Sequence, residues 1–376
     1  MLEAISINGF MLAGALVVVL LVQLYYHVVV LGKFAFHKQQ PSANHRQEPV
    51  SIIIAARNEY ENLQKYLPAI LNQDYPEFEV VVVNHCSWDN SQQYLEELQL
   101  QYKHLKVSQL IEQEKYPTGK KFALTIGIKA AKYDQLLFTD ADCEPASNQW
   151  LALMAGRFDN NAQIVLGYSP YYKKGGMLNL YDRFQTVVTA VFYFSFALAG
   201  NTFMGVGRNL AYRKELFFRH KGFASHQHIM SGDDDLFINE AATPHNVAIE
   251  YSAESFTWSD AKPNFEAWSR QKSRHMTTGK HYKTKHKRSL GVYYATLFLF
   301  YGLLAATLLV SIETWPIVLG AYALRLITQV IVYYNATVKL KNTSLVWSIP
   351  VNDFLFCLFM LFYGTKGFFT RNTKSW

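Results

Sequence analysis

Two carboxylates separated by one small residue close an apolar run: Leu136-Leu137-Phe138-Thr139 leads into Asp140-Ala141-Asp142. A buried strand ending this way places both acids at its carboxyl edge, where ligands sit in parallel sheets. Acids so close repel each other unless a cation or a positively charged group lies between them. Hard divalent ions take oxygen ligands, and Mg²⁺ often binds through one or two carboxylates together with substrate phosphates. The pair therefore points to a metal–phosphate site, against the plainer reading of solvated turn residues. A second acid cluster, Asp233-Asp234-Asp235 after Ser231-Gly232, needs water, a cation or a shared proton nearby. A carboxylate of modestly raised pKa in such a group suits removal of a hydroxyl proton. Capping of a helix over Leu236 to Ala242 is the structural alternative.

The elements that must carry these acids form an alternating pattern. Between Pro49 and Lys285 short apolar strands follow helical stretches, as in a mostly parallel α/β sheet. Strands are expected at Val50–Ala55, Phe78–Val83, Leu105–Leu110 and Gln135–Thr139, resuming near Tyr168 and at Leu210–Tyr212. Helices are expected at Glu59–Leu71, Ser91–Leu100 and Lys120–Ala131. The aromatic stretch Asn179–Gly200 reads equally as an interfacial helix or as core.

Apolar content, 50% of the 376 residues, excludes disorder and is concentrated at the ends. Gly9 to Leu31 is long enough to span a bilayer; it exceeds a signal-peptide h-region and lacks a basic n-region, so a retained anchor is expected. Val292–Ile312 and Trp315–Tyr334, which carries Arg325, are further spans. Val346–Tyr363 contains Pro350, Asn352 and Asp353 and can cross, re-enter or lie in the interface. Tyr and Trp near the span ends fit aromatic belts. Lys33, Lys38, Arg46, the cluster Lys280–Arg288, Lys339 and Lys341 put the central region on the cytoplasmic side by the positive-inside rule. A crossing last segment would leave Lys366, Arg371 and Lys374 outside, which favours a re-entrant or interfacial one. The net charge of +7 sits beside the spans, as for attraction to anionic lipid, which argues against nucleic-acid binding. Cys86, Cys143 and Cys357 lack metal-ligand spacing and are expected to be reduced thiols.

Read in order, the strand, Arg57-Asn58-Glu59, helix, strand, Asn84-His85-Cys86-Ser87-Trp88-Asp89, Gly119-Lys120-Lys121 and Asp140-Ala141-Asp142 resemble the GT-A fold of the family-two inverting glycosyltransferases, in their membrane-bound polysaccharide-synthase branch. The resemblance covers residues 49–285, with an anchor over 1–35 and a membrane region over 290–370. It implies that Ala55, Arg57 and Glu59 lie against the nucleotide, although Asn58 and Glu59 also suit a helix N-terminus. Asn84 and His85 stand where the family usually has base-recognising acids; both can still hydrogen-bond a base. Ser87 and Asp89 are read as caps of the second helix. Lys120 is placed near the donor phosphates, where a helix N-terminus favours anions. Gly207 and Asn209, within Gly205–Tyr212, resemble the acceptor-side loop, whose glycines allow close backbone approach.

Within Gly232-Asp233-Asp234 the resemblance points to Asp234 as base; an Asp-x-Asp-Leu alignment chooses Asp233 instead. Gln271-Lys-Ser-Arg274-His275 is similar to the Gln-x-x-Arg-Trp motif of the membrane synthases. On a helix these three residues share a face, with Arg274 free to pair with a diphosphate and Gln271 and His275 holding the acceptor. The implied enzyme is a hexosyltransferase-type, membrane-bound protein using a nucleotide sugar (UDP-sugar first) and Mg²⁺ or Mn²⁺ held by Asp140 and Asp142. Its acceptor is lipid-linked or a glycan. A processive synthase and a non-catalytic nucleotide-sugar-binding subunit are the alternatives.

Overall fold

The computed structural model describes residues 2–39, 47–111, 119–158, 161–229 and 231–369. The expectations placed on Arg46, Arg371 and Lys374 lie outside the described residues.

Helix α1 (Leu2–Tyr25) runs through a π turn (Tyr26–Leu31) into α2 (Gly32–Ala35). The chain then alternates: β1 (Val50–Ala56), α3 (Tyr60–Leu71), β2 (Phe78–His85), α4 (Ser91–Gln101), β3 (Leu105–Leu110), α5 (Lys120–Ala130), β4 (Gln135–Phe138). There follow β5 (Cys143–Pro145), α6 (Trp150–Ala155), β6 (Ile164–Leu166), α7 (Met177–Leu198), β7 (Leu210–Arg213), α8 (Lys214–Arg219), α9 (Asp235–Ala241), β8 (Val247–Ile249), β9 (Thr257–Ser259) and α10 (Phe265–His275). The chain closes with α11 (Thr284–Val310), α12 (Trp315–Lys339), α13 (Ile349–Phe359), a π turn (Met360–Gly364) and α14 (Thr365–Phe369).

The main sheet has the order β3-β2-β1-β4-β7-β6-β8, parallel except where β7 runs against β4 and β6. Every residue of β1 is buried, as expected of a strand covered on both faces. Its alternate side chains feed two cores. Ile53 and Ala55 join Val81, Val83 and Ala123, Leu124 and Ile128 of α5. Ile52 and Ile54 join Val80, Val82, Leu63 and Leu67 of α3, Leu95 of α4 and Trp150 of α6. Burying each such side chain stabilises the fold by about 1.5–3 kcal/mol.

Several expected boundaries move. Asn84 and His85 do not follow the second strand; they are its last two residues, buried and paired to β3. The fourth strand ends at Phe138, leaving Thr139 in the turn. The strand expected near Tyr168 lies earlier, at Ile164–Leu166, because Gly167 and the loop after it break the pairing. Asn58 does not cap α3: its φ is +56°, and the Tyr60 N–H goes to Asp89 Oδ2 at 3.0 Å. Asp89 also accepts from Ser91 N at 3.1 Å, so one carboxylate holds two helix starts. Ser87 instead accepts from Asn58 N at 2.8 Å and donates to Asn84.

Among the described residues, four helical stretches are long and apolar enough to cross a membrane: Asn8–Ala35, Thr284–Val310, Ile312–Lys339 and Thr343–Gly367. Helix α7, open to two readings in the sequence, is core. It is buried nearly all round, with Phe184, Val187 and Val191 packed between the sheet and the aromatic residues Tyr293 of α11 and Tyr333 of α12. A helix apolar on every side needs such enclosure.

Candidate active site

Parallel pairing of β1 with β4 sets Ile53 opposite Phe138, so the turn carrying Asp140 and Asp142 leaves the sheet's carboxyl edge. Helix α5 packs on β1 and β2, and its first residue, Lys120, reaches the same edge. Its ammonium lies 2.7 Å from Asp140 Oδ1 and 3.3 Å from Asp233 Oδ2. The two acid clusters, ninety residues apart in sequence, thus share one cation. Lys120 is held well above its usual pKa: burial alone would lower it, but Asp140, Asp233 and Asp234 outweigh that.

The second cluster is shaped by Gly232, whose φ of +92° lies in the left-handed region. A Cβ there would also stand 2.5 Å from Leu236 Cδ1. Asp234 caps α9, accepting from Asp235 N at 2.7 Å, while its other oxygen accepts from Gly207 N at 2.8 Å. Asp235 is turned inward, accepting from Leu236 N at 2.8 Å, Tyr282 Oη at 2.7 Å and Thr278 Oγ1. These environments separate the three acids. Burial would raise Asp233, yet Lys120 and Lys121 hold it below the usual carboxylate range. Burial, with Asp233 and Asp235 on either side, pushes Asp234 up to about 7. Asp235 is also raised, chiefly by burial.

Asp142 is raised by burial and by Asp140 beside it, an effect offset in part by Arg208 and Lys262. Arg208 was not among the residues singled out in the sequence, although it lies between Gly207 and Asn209. Its guanidinium stacks 4.5 Å above Tyr171 and donates to Ser169 O at 3.0 Å and to Ser259 Oγ. Burial raises the pKa of Glu59, and the charges of Asp142 and Asp140 add to that. Among the described residues no group of three or more His, Cys, Asp or Glu side chains gathers at ligand distance. A metal here would thus take Asp140 and Asp142 as oxygen donors and complete its shell from a diphosphate and water, the usual habit of Mg²⁺. The two neighbouring carboxylates, one of them raised by burial and by the charge of the other, fit that demand.

A cavity of about 750 Å³ opens beside these groups, walled by Lys120, Asp140, Asp233, Asp234, Gly207 and Arg208 at one end. Gln271, Arg274 and His275 line it from α10. Gln271 Oε1 and Arg274 Nε are buried with no hydrogen-bond partner among the described residues. Buried polar atoms left this way cost free energy unless a ligand satisfies them. Helix α10 is clamped in place by Lys272, 2.6 Å from Asp182 of α7, and by Trp268 packed against Phe359 and Tyr363.

The remaining expected residues do not all face this cavity. Ala55, Arg57 and Glu59 lie at the carboxyl edge of β1, beyond Asp140, outside the cavity wall. Asn84 donates to Gln109 Oε1 at 2.8 Å and accepts from Ser87 Oγ at 2.5 Å, so its amide is spent inside the sheet edge, with His85 buried next to it. Asn209 is turned fully inward. It accepts from Trp150 Nε1 at 3.0 Å and donates to Tyr168 O at 2.9 Å and Ser255 O at 2.8 Å. Only Gly207 of that expected pair reaches the acids. Thr278 and Tyr282, which orient Asp235, carried no local signal that could have marked them.

Residues 51–219 match the family model described as glycosyl transferase family 2. Glycosyltransferase AglE of Haloferax volcanii is 38% identical over 143 residues, 37% of this chain and 45% of that protein. Poly-beta-1,6-N-acetyl-D-glucosamine synthase of Staphylococcus epidermidis is 30% identical over 125 residues, 31% of this chain and 29% of that protein. The chain therefore spans less than half the length of these two relatives. Among solved structures, the mannosyltransferase PcManGT from Pyrobaculum calidifontis, in complex with GDP-Man and Mn²⁺, superposes with a TM-score of 0.57 at 18% identity, covering 94% of this chain and 99% of that one. That likeness is one of fold: the GT-A architecture, a mostly parallel sheet between helical layers.

Proposed function

We propose that this chain, which carries a glycosyl transferase family 2 domain over residues 51–219, moves a sugar from a nucleotide-sugar donor to a hydroxyl of a lipid-linked or glycan acceptor, with inversion at the anomeric carbon. One observation carries the reading. Lys120 joins Asp140 to Asp233, so a site for an anionic leaving group and a carboxylate of raised pKa border the same cavity.

Asp234 is the base. At about 7 its pKa matches the operating range of a general base. Its carboxylate is aimed by the Gly207 and Asp235 N–H groups, and Asp233, held ionised by Lys120, is the poorer proton acceptor. Asp234 takes the acceptor hydroxyl's proton as that oxygen attacks the anomeric carbon. The bond from that carbon to the phosphate oxygen breaks, and the nucleoside diphosphate leaves with the electron pair. A divalent ion, when bound by Asp140 and Asp142, supplies charge neutralisation for that diphosphate. Arg274, and Lys120 once drawn from Asp140, add fixed positive charge where negative charge develops. Gln271 and His275 hold the acceptor from the α10 wall.

The domain sits against the membrane on the face where nucleotide sugars are made. Lys339 at the end of α12 donates to the carbonyls of Phe34 and Ala35 at 2.7 Å and of His37 at 2.6 Å. That contact brings the ends of two long apolar helices and the charge of Lys339 together, which supports cytoplasmic placement. The final segment has both ends at the catalytic domain: Asn342 accepts from Arg183 at 2.6 Å, and Tyr363 donates to Ser269 at 2.7 Å. A segment that enters and leaves on one face explains this better than a crossing.

The test is sugar transfer in a membrane preparation supplied with nucleotide sugars and Mn²⁺. Asp234→Asn and Asp140→Asn should each abolish transfer while the melting temperature stays near that of the parent chain. Retained turnover in either variant refutes the assignment.

A further inference from the structure

The active-site cavity does not stop at the catalytic domain. Beyond Arg274 its wall is made by Phe192 of α7, Tyr294 of α11, and Phe356 and Phe359 of α13. Two of these helices belong to stretches long and apolar enough to cross a membrane. Lys280 and Lys287 line the same cavity. Two glycines, Gly291 on α11 and Gly364 on the π turn after α13, also line the cavity. A Cβ at Gly291 would meet no atom within 4 Å, and one at Gly364 only the Met276 methyl at 4.0 Å. Neither glycine is demanded by backbone conformation or by close packing of the protein itself. The space each leaves belongs to the cavity.

We propose that this apolar half receives the hydrocarbon chain of an amphiphilic acceptor, a long-chain lipid phosphate bearing the hydroxyl to be glycosylated, and that Gly291 and Gly364 keep its entrance open. The inference rests on the transferase reading above and selects its acceptor class. Charge complementarity orders the ligand: hydroxyl towards Asp234, phosphate beside Arg274, Lys280 and Lys287, chain along the aromatic wall. A soluble glycan would leave that wall uncovered, whereas each buried methylene strengthens binding by about fourfold.

The experiment uses the full chain in phosphatidylcholine nanodiscs and a hexadecyl phosphate carrying a mid-chain diazirine, with cross-links mapped by mass spectrometry. Labelling is expected on the segments around 290–294 and 356–364 despite the excess of bilayer lipid. Gly291→Leu and Gly364→Leu should each reduce that labelling at least tenfold. Gly302→Leu adds the same bulk to α11 where a Cβ also meets nothing, but outside the cavity, and should label like the parent chain. Unlabelled hexadecyl phosphate should compete and butyl phosphate should not. The proposal is overturned by labelling spread evenly over the outer faces of α1, α11 and α12, which means bulk lipid. It is equally overturned by undiminished labelling in the folded glycine variants, or by displacement with a soluble oligosaccharide, which means a glycan path. If neither glycine variant folds, the chain-length series on the parent chain decides. Donor turnover is scored on the same preparation. Labelling without turnover sinks the transferase reading alone, and turnover without groove labelling sinks the lipid path alone.

Discussion

Lys120 donates to Asp140 at 2.7 Å from the first turn of α5, and the same ammonium stands 3.3 Å from Asp233 on the loop before α9. It is the physical link between the metal-side acids and the base-side acids, and removing it leaves like charges facing each other. Lys120→Met should lower kcat/KM for donor turnover by about 10²–10³-fold, with Lys120→Arg recovering part of the loss. Steady-state kinetics on the two variants check this.

Asp234 must be ionised to accept a proton, and its pKa is pushed up to about 7. The catalytic form is therefore scarce below that value and complete above it. A plot of kcat/KM against pH should rise tenfold per unit through the acid range and level off above about 7. Asp234→Asn should leave only a residual rate without that inflection.

Chelation should silence transfer, and Mn²⁺ or Mg²⁺ should restore it. Asp142 has Asp140 and burial pressing its pKa upward, so losing its charge weakens the cation site directly. Asp142→Asn should raise the metal concentration for half-maximal activity by at least about tenfold. The measurement is a metal titration after dialysis against chelator.

Asn209 tests a correction. Three buried hydrogen bonds tie it to Trp150, Tyr168 and Ser255, which makes it a keystone of the β6–β7 region instead of an acceptor contact. Asn209→Ala should destabilise the domain by on the order of 3 kcal/mol. It should show as a lowered melting temperature, with donor KM unchanged in the fraction that remains folded.

Among the long apolar helices Arg325 of α12 pairs with Asp353 of α13 at 2.8 Å, and Gln329 and Tyr301 complete the carboxylate's shell at 2.6 and 2.7 Å. Removing one partner strands a buried charge, at a cost of about 3–5 kcal/mol. Asp353→Leu alone should melt early in detergent, and the double change with Arg325→Leu should regain most of the loss. Differential scanning fluorimetry distinguishes the two.

Much of this architecture is legible in local pattern. Buried runs such as Val50–Ala56, helical periodicity in Tyr60–Leu71 and apolar stretches of membrane length are written in neighbouring residues, because the strand and helix periods repeat over a few positions. The acids at 140, 142 and 233–235 announce themselves by type and spacing alone. Their division of labour does not. Asp233, Asp234 and Asp235 are chemically identical, and it is Lys120, Gly207 and the pair Thr278 and Tyr282, contributed by three distant segments, that set their protonation apart.

The same holds for amides. Asn84 and Asn209 carry side chains suited to recognising a ligand, yet the fold spends both on internal hydrogen bonds, since a buried amide must find its partners wherever the chain packs. The last apolar segment has the length of a span, while its two ends return to α7 and α10. Local composition thus settles which residues have the capacity for chemistry and for lipid. Which of them meet, which face inward and which acid keeps its proton follow from long-range packing, where burial and neighbouring charge are decided.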